Sequence, residues 1–171
     1  DTTTGEMFIN GVGQTAARDD FNTLSNVTFR TVWDGNGKDT YDLSNFTNDM
    51  LIDLTPGGYS DFDVNGNDLR AMLNQGWDEN GSWVGASAIE YARGHLFNAL
   101  QYEGDVRSLI ERAIGGTGDD TMIGNVANNK LYGGEGDDQL LGNNGRDDLR
   151  GDAGTDIIYG GNGYDFIRGG K

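Results

Sequence analysis

The chain has 171 residues, a formal net charge of −16 and no cysteine. Such an acidic chain will not bind nucleic acid or an anionic membrane by electrostatics, and disulfides and thiolate metal sites are excluded outright. No apolar run is long enough to cross a membrane, and no signal peptide opens the sequence. The charge divides into −11 over residues 1–114 and −5 over 115–171, so a compact state needs cations throughout. The length suits one domain or a modular pair. Because it begins at Asp1 without methionine and stops within a repeat, the sequence reads as a fragment.

In chain order, NVTFRTVW (26–33) alternates apolar and polar residues as a strand does. DGNGKDTYD (34–42) follows, a turn with Gly35, Gly37 and Asp39 that leads to Tyr41 in an inward position. Short strands are expected at TYDLSNF (40–46) and MLIDL (50–54), ended by Pro56-Gly57-Gly58. Residues 57–105 are less regular, with modest helical patterning around Ala86–Leu100, and read as an insertion. Within them DFDVNGNDLRAM (61–72) starts like an EF-hand loop, with Asp61, Asp63, Asn65 and Gly66. It carries Met72 where a bidentate glutamate belongs and Asp68 at an apolar position, so a full EF-hand is not expected; a polar surface loop is the expectation, with a calcium-bound D-x-D-x-N-G loop closed by Asp68 as the alternative. Trp33, Trp77 and Trp83 carry no binding signature. VRSLIERAI (106–114) leads into the clean array.

From Gly115 to Arg168 the chain repeats every nine residues, six times: GGTGDDTMI, GNVANNKLY, GGEGDDQLL, GNNGRDDLR, GDAGTDIIY and GGNGYDFIR. The eighth position is always apolar (Met122, Leu131, Leu140, Leu149, Ile158, Ile167). The sixth holds Asp120, Asn129, Asp138, Asp147, Asp156 and Asp165. A flexible Gly/Asp linker has no use for a periodic apolar column, so the pattern is structural. The glycine-rich turn can fold its carbonyls around a hard cation, and the aspartate supplies a charged oxygen. The glycines concerned are Gly116, Gly118, Gly134, Gly136, Gly145, Gly154, Gly161 and Gly163. Residues seven to nine form a short strand with the eighth inward.

Each repeat is then half a coil of a flattened right-handed parallel β-roll. Turns of the odd repeats stack on one edge and turns of the even repeats on the other. Ions fit between Asp120 and Asp138, Asp138 and Asp156, Asn129 and Asp147, and Asp147 and Asp165. That makes about four sites, if each ion draws oxygens from two turns. The expected fold is all-β: residues 1–114 form a β-rich leading part with the insertion 57–105, and 115–171 form the repeat roll.

The nonapeptide pattern resembles the calcium-binding repeat of RTX proteins. TTTGEMFING (2–11), TVWDGNGKDTYDLSNF (31–46), LIERAIGGTGDD (109–120) and GNVANN (124–129) are together similar to the C-terminal domain of the serralysins, secreted zinc metalloproteases of the metzincin group. The resemblance implies two further calcium sites ahead of the roll. One would use main-chain oxygens near Thr3, Gly5 and Met7 with Asp34, Gly37 and Asp39. The other would share Gly37 and Asp39 and add the Leu109 carbonyl and the Glu111 carboxylate. The total is then about six ions.

A metzincin zinc site needs three imidazoles, whereas this sequence has one histidine, His95, which reads as a packed or surface residue. The chain is expected to be a non-catalytic, extracellular calcium module. It would fold on external calcium after type I secretion and support an N-terminal zinc protease domain. The alternative is a glycan- or protein-binding RTX module of an adhesin or another secreted enzyme.

Overall fold

The computed structural model describes residues 8–10, 30–32, 37–66, 72–75, 82, 89–101 and 103–171. Thr3, Gly5, Met7, Asp34, Asp68 and the three tryptophans lie outside them. Two parallel sheets face one another. The first contains β1 (Phe8–Asn10), β3 (Thr40–Asp42), β9 (Arg112–Ile114), β11 (Lys130–Glu135), β13 (Asp148–Ala153) and β15 (Phe166–Gly170), in that order. The second contains β4 (Leu51–Asp53), β10 (Thr121–Ile123), β12 (Gln139–Leu141) and β14 (Ile157–Tyr159). Even-numbered repeats supply the first sheet and odd-numbered repeats the second, so two repeats complete one coil.

The registers explain why the eighth position must be apolar. In the first sheet Tyr41, Ala113, Leu131, Leu149 and Ile167 are successive partners. In the second, Ile52, Met122, Leu140 and Ile158 are. Both columns pack into or against one core, except Ile167, which stands half-exposed at the open end of the stack. Side chains of the seventh and ninth positions point out, because successive residues on a strand face opposite ways.

The turns between strands stack at van der Waals limits. A Cβ on Gly136 would fall on the Gly118 carbonyl oxygen, and one on Gly154 would fall on that of Gly136. Both glycines also hold φ in the left-handed half of the map, at 120° and 138°. The position thus needs glycine twice over, for conformation and for space.

Residues 57–105 are tied to the roll at both ends. β5 (Tyr59–Ser60) pairs antiparallel with β8 (Leu96–Asn98), and β8 pairs parallel with β2 (Arg30–Val32). Phe62 and Leu96 join the core cluster. The Asn98 amide donates to the Asp53 and Thr55 carbonyls and accepts from the Tyr41 hydroxyl at 2.6 Å. The helical patterning at 86–100 is not realised: β7 (Ile89–Tyr91), paired with β6 (Met72–Gln75), and β8 occupy it as strands. Tertiary pairing overrides a weak local period. VRSLIERAI enters as one 3-10 turn at Val106–Ser108 before β9.

His95 is fully buried. Its Nδ1 accepts from the Phe62 N–H at 3.0 Å and lies 3.3 Å from an Asp61 carboxylate oxygen, and the ring stacks on Phe62 with centroids 4.8 Å apart. It is a core residue that fixes the root of the insertion.

Two glycines separate the effects of strain and of clash. Gly104 has φ of 77° but open space around its Cβ direction. Gly104→Ala should lose only backbone strain, about 1–3 kcal/mol. Gly136→Ala adds the collision with Gly118 and should lose clearly more in urea unfolding with calcium present. Equal losses would mean that the turns do not stack this closely.

Candidate metal centre

The sixth-position side chains form ladders along both edges of the roll. On the odd edge the Asp120 N–H donates to Asp138 Oδ1 at 2.8 Å, and the Asp138 N–H to Asp156 Oδ1 at 3.1 Å. On the even edge the Asn129 N–H donates to Asp147 at 2.8 Å, and the Asp147 N–H to Asp165 at 3.0 Å. Every bond spans 18 residues. The four pairs expected from sequence are therefore the four pairs the fold brings together.

Both ladders continue upstream of the repeats. The Met50 N–H donates to Asp120 Oδ1 at 2.9 Å across 70 residues, and the Asp39 N–H donates to Glu111 Oε2 at 3.0 Å across 72. Glu111 and Asp39 thus occupy the sixth-position column of the even edge. Residues 45–53 form an additional odd-edge rung. There Phe46 and Asn48 present their carbonyls beneath Gly116 and Gly118, with the Thr117 N–H donating to the Phe46 oxygen. Sequence reading missed this rung because it contains no glycine. Its one trace was Ile52 in the eighth position of the frame, inside a strand already expected at 50–54.

Burial is nearly complete: Asp39, Asp120, Asn129, Asp138 and Asp147 are each at most 1% exposed. Loss of water pushes the Asp138 carboxyl up to about 7. Hydrogen bonding from the Asp120 N–H opposes the rise, and the neighbouring Asp120 and Asp156 carboxylates add to it. Burial also raises Asp120 and Asp147 to about 6. The Oδ2 atoms of Asp138 and Asp147 are buried without a hydrogen-bond partner. A buried charged oxygen with no donor is expensive unless a cation or proton meets it.

The donor set suits a hard cation. Among the described residues no three His, Cys, Asp or Glu side chains converge as a metal cluster. An ion would take paired carboxylates from two turns and fill its shell with main-chain oxygens. Gly116, Gly118 and Gly136 offer these on the odd edge, and Ala127 offers one beneath Gly145 on the even edge. Oxygen-only donors fit calcium rather than zinc. In the loop after β5 the Asp61 carboxylate accepts from the Asp63 N–H, and Asn65 donates to Asp49 at 2.7 Å. Asp61 and Phe62 are buried, and Asp61 exchanges main-chain hydrogen bonds with Leu51, so the start of this loop belongs to the core rather than to a polar surface loop.

Residues 114–149 and 141–171 match the RTX calcium-binding nonapeptide repeat, and residues 1–71 match the family described as peptidase M10 serralysin C terminal. The chain resembles the C-terminal region of the serralysins. It is 33% identical over 101 residues to serralysin G of Dickeya chrysanthemi. It is 36% identical over 102 residues to serralysin of Photorhabdus laumondii and 32% identical over 101 to metalloprotease AprA of Pseudomonas entomophila. Each alignment takes in 59% of this chain but only 14% of the relative's length.

The raised carboxyls give a signed pH dependence in the absence of metal. Asp120, Asp138 and Asp147 hold protons in the fold at pH values where the unfolded chain, with an ordinary aspartate near 3.8, has lost them. Their protonation therefore favours the fold fully below about pH 4, and that contribution disappears as pH rises through 6 to 7. In a chelator, circular dichroism should gain β signal on acidification from pH 7.5 to 5.5. The calcium midpoint should rise over the same interval, since protons compete for the same oxygens. A calcium midpoint independent of pH would contradict burial of these groups.

Proposed function

We propose that the chain is a calcium-triggered folding module of a secreted serralysin-like protease. The observation that carries this reading is the pair of buried, donor-free carboxylate oxygens on Asp138 and Asp147, set in stacked glycine turns. In this reading Asp120 with Asp138, and Asp138 with Asp156, hold ions on the odd edge with carbonyls of Gly116, Gly118, Gly134, Gly136 and Gly154. Asn129 with Asp147, and Asp147 with Asp165, hold ions on the even edge with Gly145, Gly161 and Gly163. Gly37, Asp39, Leu109 and Glu111 form a site ahead of the roll, and Thr3, Gly5, Met7 and Asp34 contribute to another. The total is about six ions.

The mechanism follows from charge. About six divalent ions would offset roughly twelve of the negative charges that oppose compaction. Extracellular calcium modules bind with dissociation constants of about 10⁻⁴–10⁻³ M, so cytosolic calcium would leave the module unfolded and external calcium would fold it. That order suits passage of an unfolded chain through a type I secretion channel, followed by folding outside in support of an N-terminal zinc protease domain. His95, buried against Phe62 and Asp61, takes no part in catalysis, and the purified chain should not cleave casein with or without zinc.

Circular dichroism tests the folding step. The chain should be largely unstructured in EGTA at pH 7.5 and β-rich in millimolar calcium, and an unchanged spectrum would overturn the proposal. Substitutions within the ladder give a finer test. Asp138 serves two inter-turn gaps and Asp165 one, and a solenoid coil is stabilised only by its neighbours. Asp138→Ala should raise the calcium midpoint more than Asp165→Ala, and the reverse order would overturn the assignment of shared sites. The genomic sequence upstream of Asp1 should encode a three-histidine zinc motif.

A further inference from the structure

Where the ninth-position row of the second sheet runs into the even-edge turns, the surface sinks into an open groove of about 350 Å³. Part of its lining is apolar. Leu141 and Tyr159 are register partners on β12 and β14, and Val126 and Pro56 extend the same wall. Tyr159 is 63% exposed and Val126 51%, so both offer apolar surface to a ligand. The rest of the lining is chiefly amide. Asn143 and Asn144 fill the second and third positions of the fourth repeat, and Asn162 the third position of the sixth. Asn144 and Asn162 form an isolated parallel bridge, and the Asn162 amide nitrogen donates to the Asn144 carbonyl oxygen at 3.0 Å. One bond between two amides leaves the pair a donor group and an acceptor group to offer.

None of the described residues that line the groove is charged, although 23% of the chain is. The one carboxylate of the same outer row, Asp53, accepts from the N–H and the hydroxyl of Thr55. A wall without charge cannot select an anion or a cation, and it disfavours bringing one in. The wall is also preformed. Asn143 holds a φ of 72°, and its amide donates to the Gly124 carbonyl at 2.7 Å, tying the turn of the fourth repeat to that of the second. Gly161 is the one lining residue that enters the calcium reading, through its main-chain oxygen. The groove uses none of the ladder carboxylates.

We propose that this groove binds a neutral oligosaccharide. The ligand it fits is uncharged, apolar on one face and rich in groups that both donate and accept. A pyranose ring has a face of C–H groups that lies against an aromatic ring such as Tyr159, and a rim of hydroxyls that pair with amides. Apolar walls with a few placed polar groups are the usual make-up of such a site. The turns of the second, fourth and sixth repeats stack at the strand spacing, so the groove runs about 10 Å across them, longer than one ring. An extended peptide is recognised through a free main-chain edge, and the main chain here is already paired from coil to coil. The Gly142 N–H donates to the Tyr159 carbonyl, and the Asn162 N–H to the Asn143 carbonyl. Because the turns are fixed before binding, the ordering cost on association is small. This inference goes beyond the calcium reading and does not depend on it.

The test is titration calorimetry of the full chain in calcium buffer with cellohexaose and with mannohexaose, the fold being checked by circular dichroism in the same buffer. Saturable binding of at least one hexamer is expected. Tyr159→Ala should weaken it roughly fivefold to tenfold, whereas Tyr159→Phe, which keeps the ring, should preserve it. The double variant Asn144→Ala/Asn162→Ala should weaken it about threefold or more. All these side chains are exposed, and an unchanged circular dichroism spectrum shows that each variant is intact. Should Tyr159→Ala fail to fold, the asparagine variant is read in its place. Binding of neither hexamer by the folded chain overturns the proposal and leaves the calcium reading standing. An affinity unchanged in Tyr159→Ala, or lost equally in Tyr159→Phe, also overturns it. Tighter binding of a neutral Gly/Ser hexapeptide than of either sugar overturns it as well and assigns the groove to a protein.

Discussion

Along both edges of the roll a buried carboxylate accepts the backbone N–H of the residue eighteen positions before it, and the remaining architecture follows from that contact. The hydrogen bond fixes coil-to-coil register, since a slip of one residue would move the aspartates out of the turns and the apolar column out of the core. The same burial strips water from a row of like charges. Asp138 shows the tension most clearly, with its pKa raised to about 7 by burial and flanking carboxylates. A ladder of this kind needs counter-charge at every gap, as protons in acid or as cations near neutrality. In the proposed reading, folding and ion binding are two descriptions of one equilibrium.

The two edges solve their upstream ends differently. On the odd edge Asp120 is satisfied, with one oxygen accepting from Met50 and the other from Gly116. On the even edge the column passes through Asn129, whose amide donates to the Glu111 carbonyl and to Asn125 Oδ1. Asn125 in turn donates to the Leu54 and Ile110 carbonyls and accepts from the Ala127 N–H. The second repeat, GNVANNKLY, departs from the glycine pattern at these positions because its side chains join the repeats to the segments ahead of them. An amide can donate where a carboxylate cannot, which is why asparagine rather than aspartate stands at the junction. The junction also draws the ends of 57–105 into the core through Asn98, Leu96 and Phe62. That segment is therefore an insertion in sequence but is anchored in packing.

Because the carboxylate ladders and the apolar column use the turns and the inward positions, the outward faces are left free to diverge. The second sheet is largely apolar outside, with Tyr159 exposed, and the first carries the cations. The seventh and ninth positions tolerate Lys, Arg, Gln, Phe and Tyr because the register between coils is set by the backbone and the sixth-position side chains. Binding chemistry can accumulate there without disturbing the scaffold.

The nine-residue period alone determined the roll, the inward column from Met122 to Ile158, the odd–even stacking and the pairing of Asp138 with Asp120 and Asp156, while the expected inward Ile167 is half-exposed. Each of these depends on contacts between residues eighteen apart in one repeated frame, so the pattern in sequence and the contact in space are the same thing. Tyr41 and Asp39 were partly legible for the same reason, as fragments of that frame, whereas Glu111 came only from the resemblance to the serralysins. What only the tertiary structure decided is how the irregular parts join it. The glycine-free rung at 45–53, the burial of His95 against Phe62 and the strand pairing at 89–98 rest on contacts up to 70 or more residues apart, which no local period records. The groove beside Tyr159 was likewise decided by the fold. Residues scattered from Pro56 to Asn162 share its wall only after the coils have stacked.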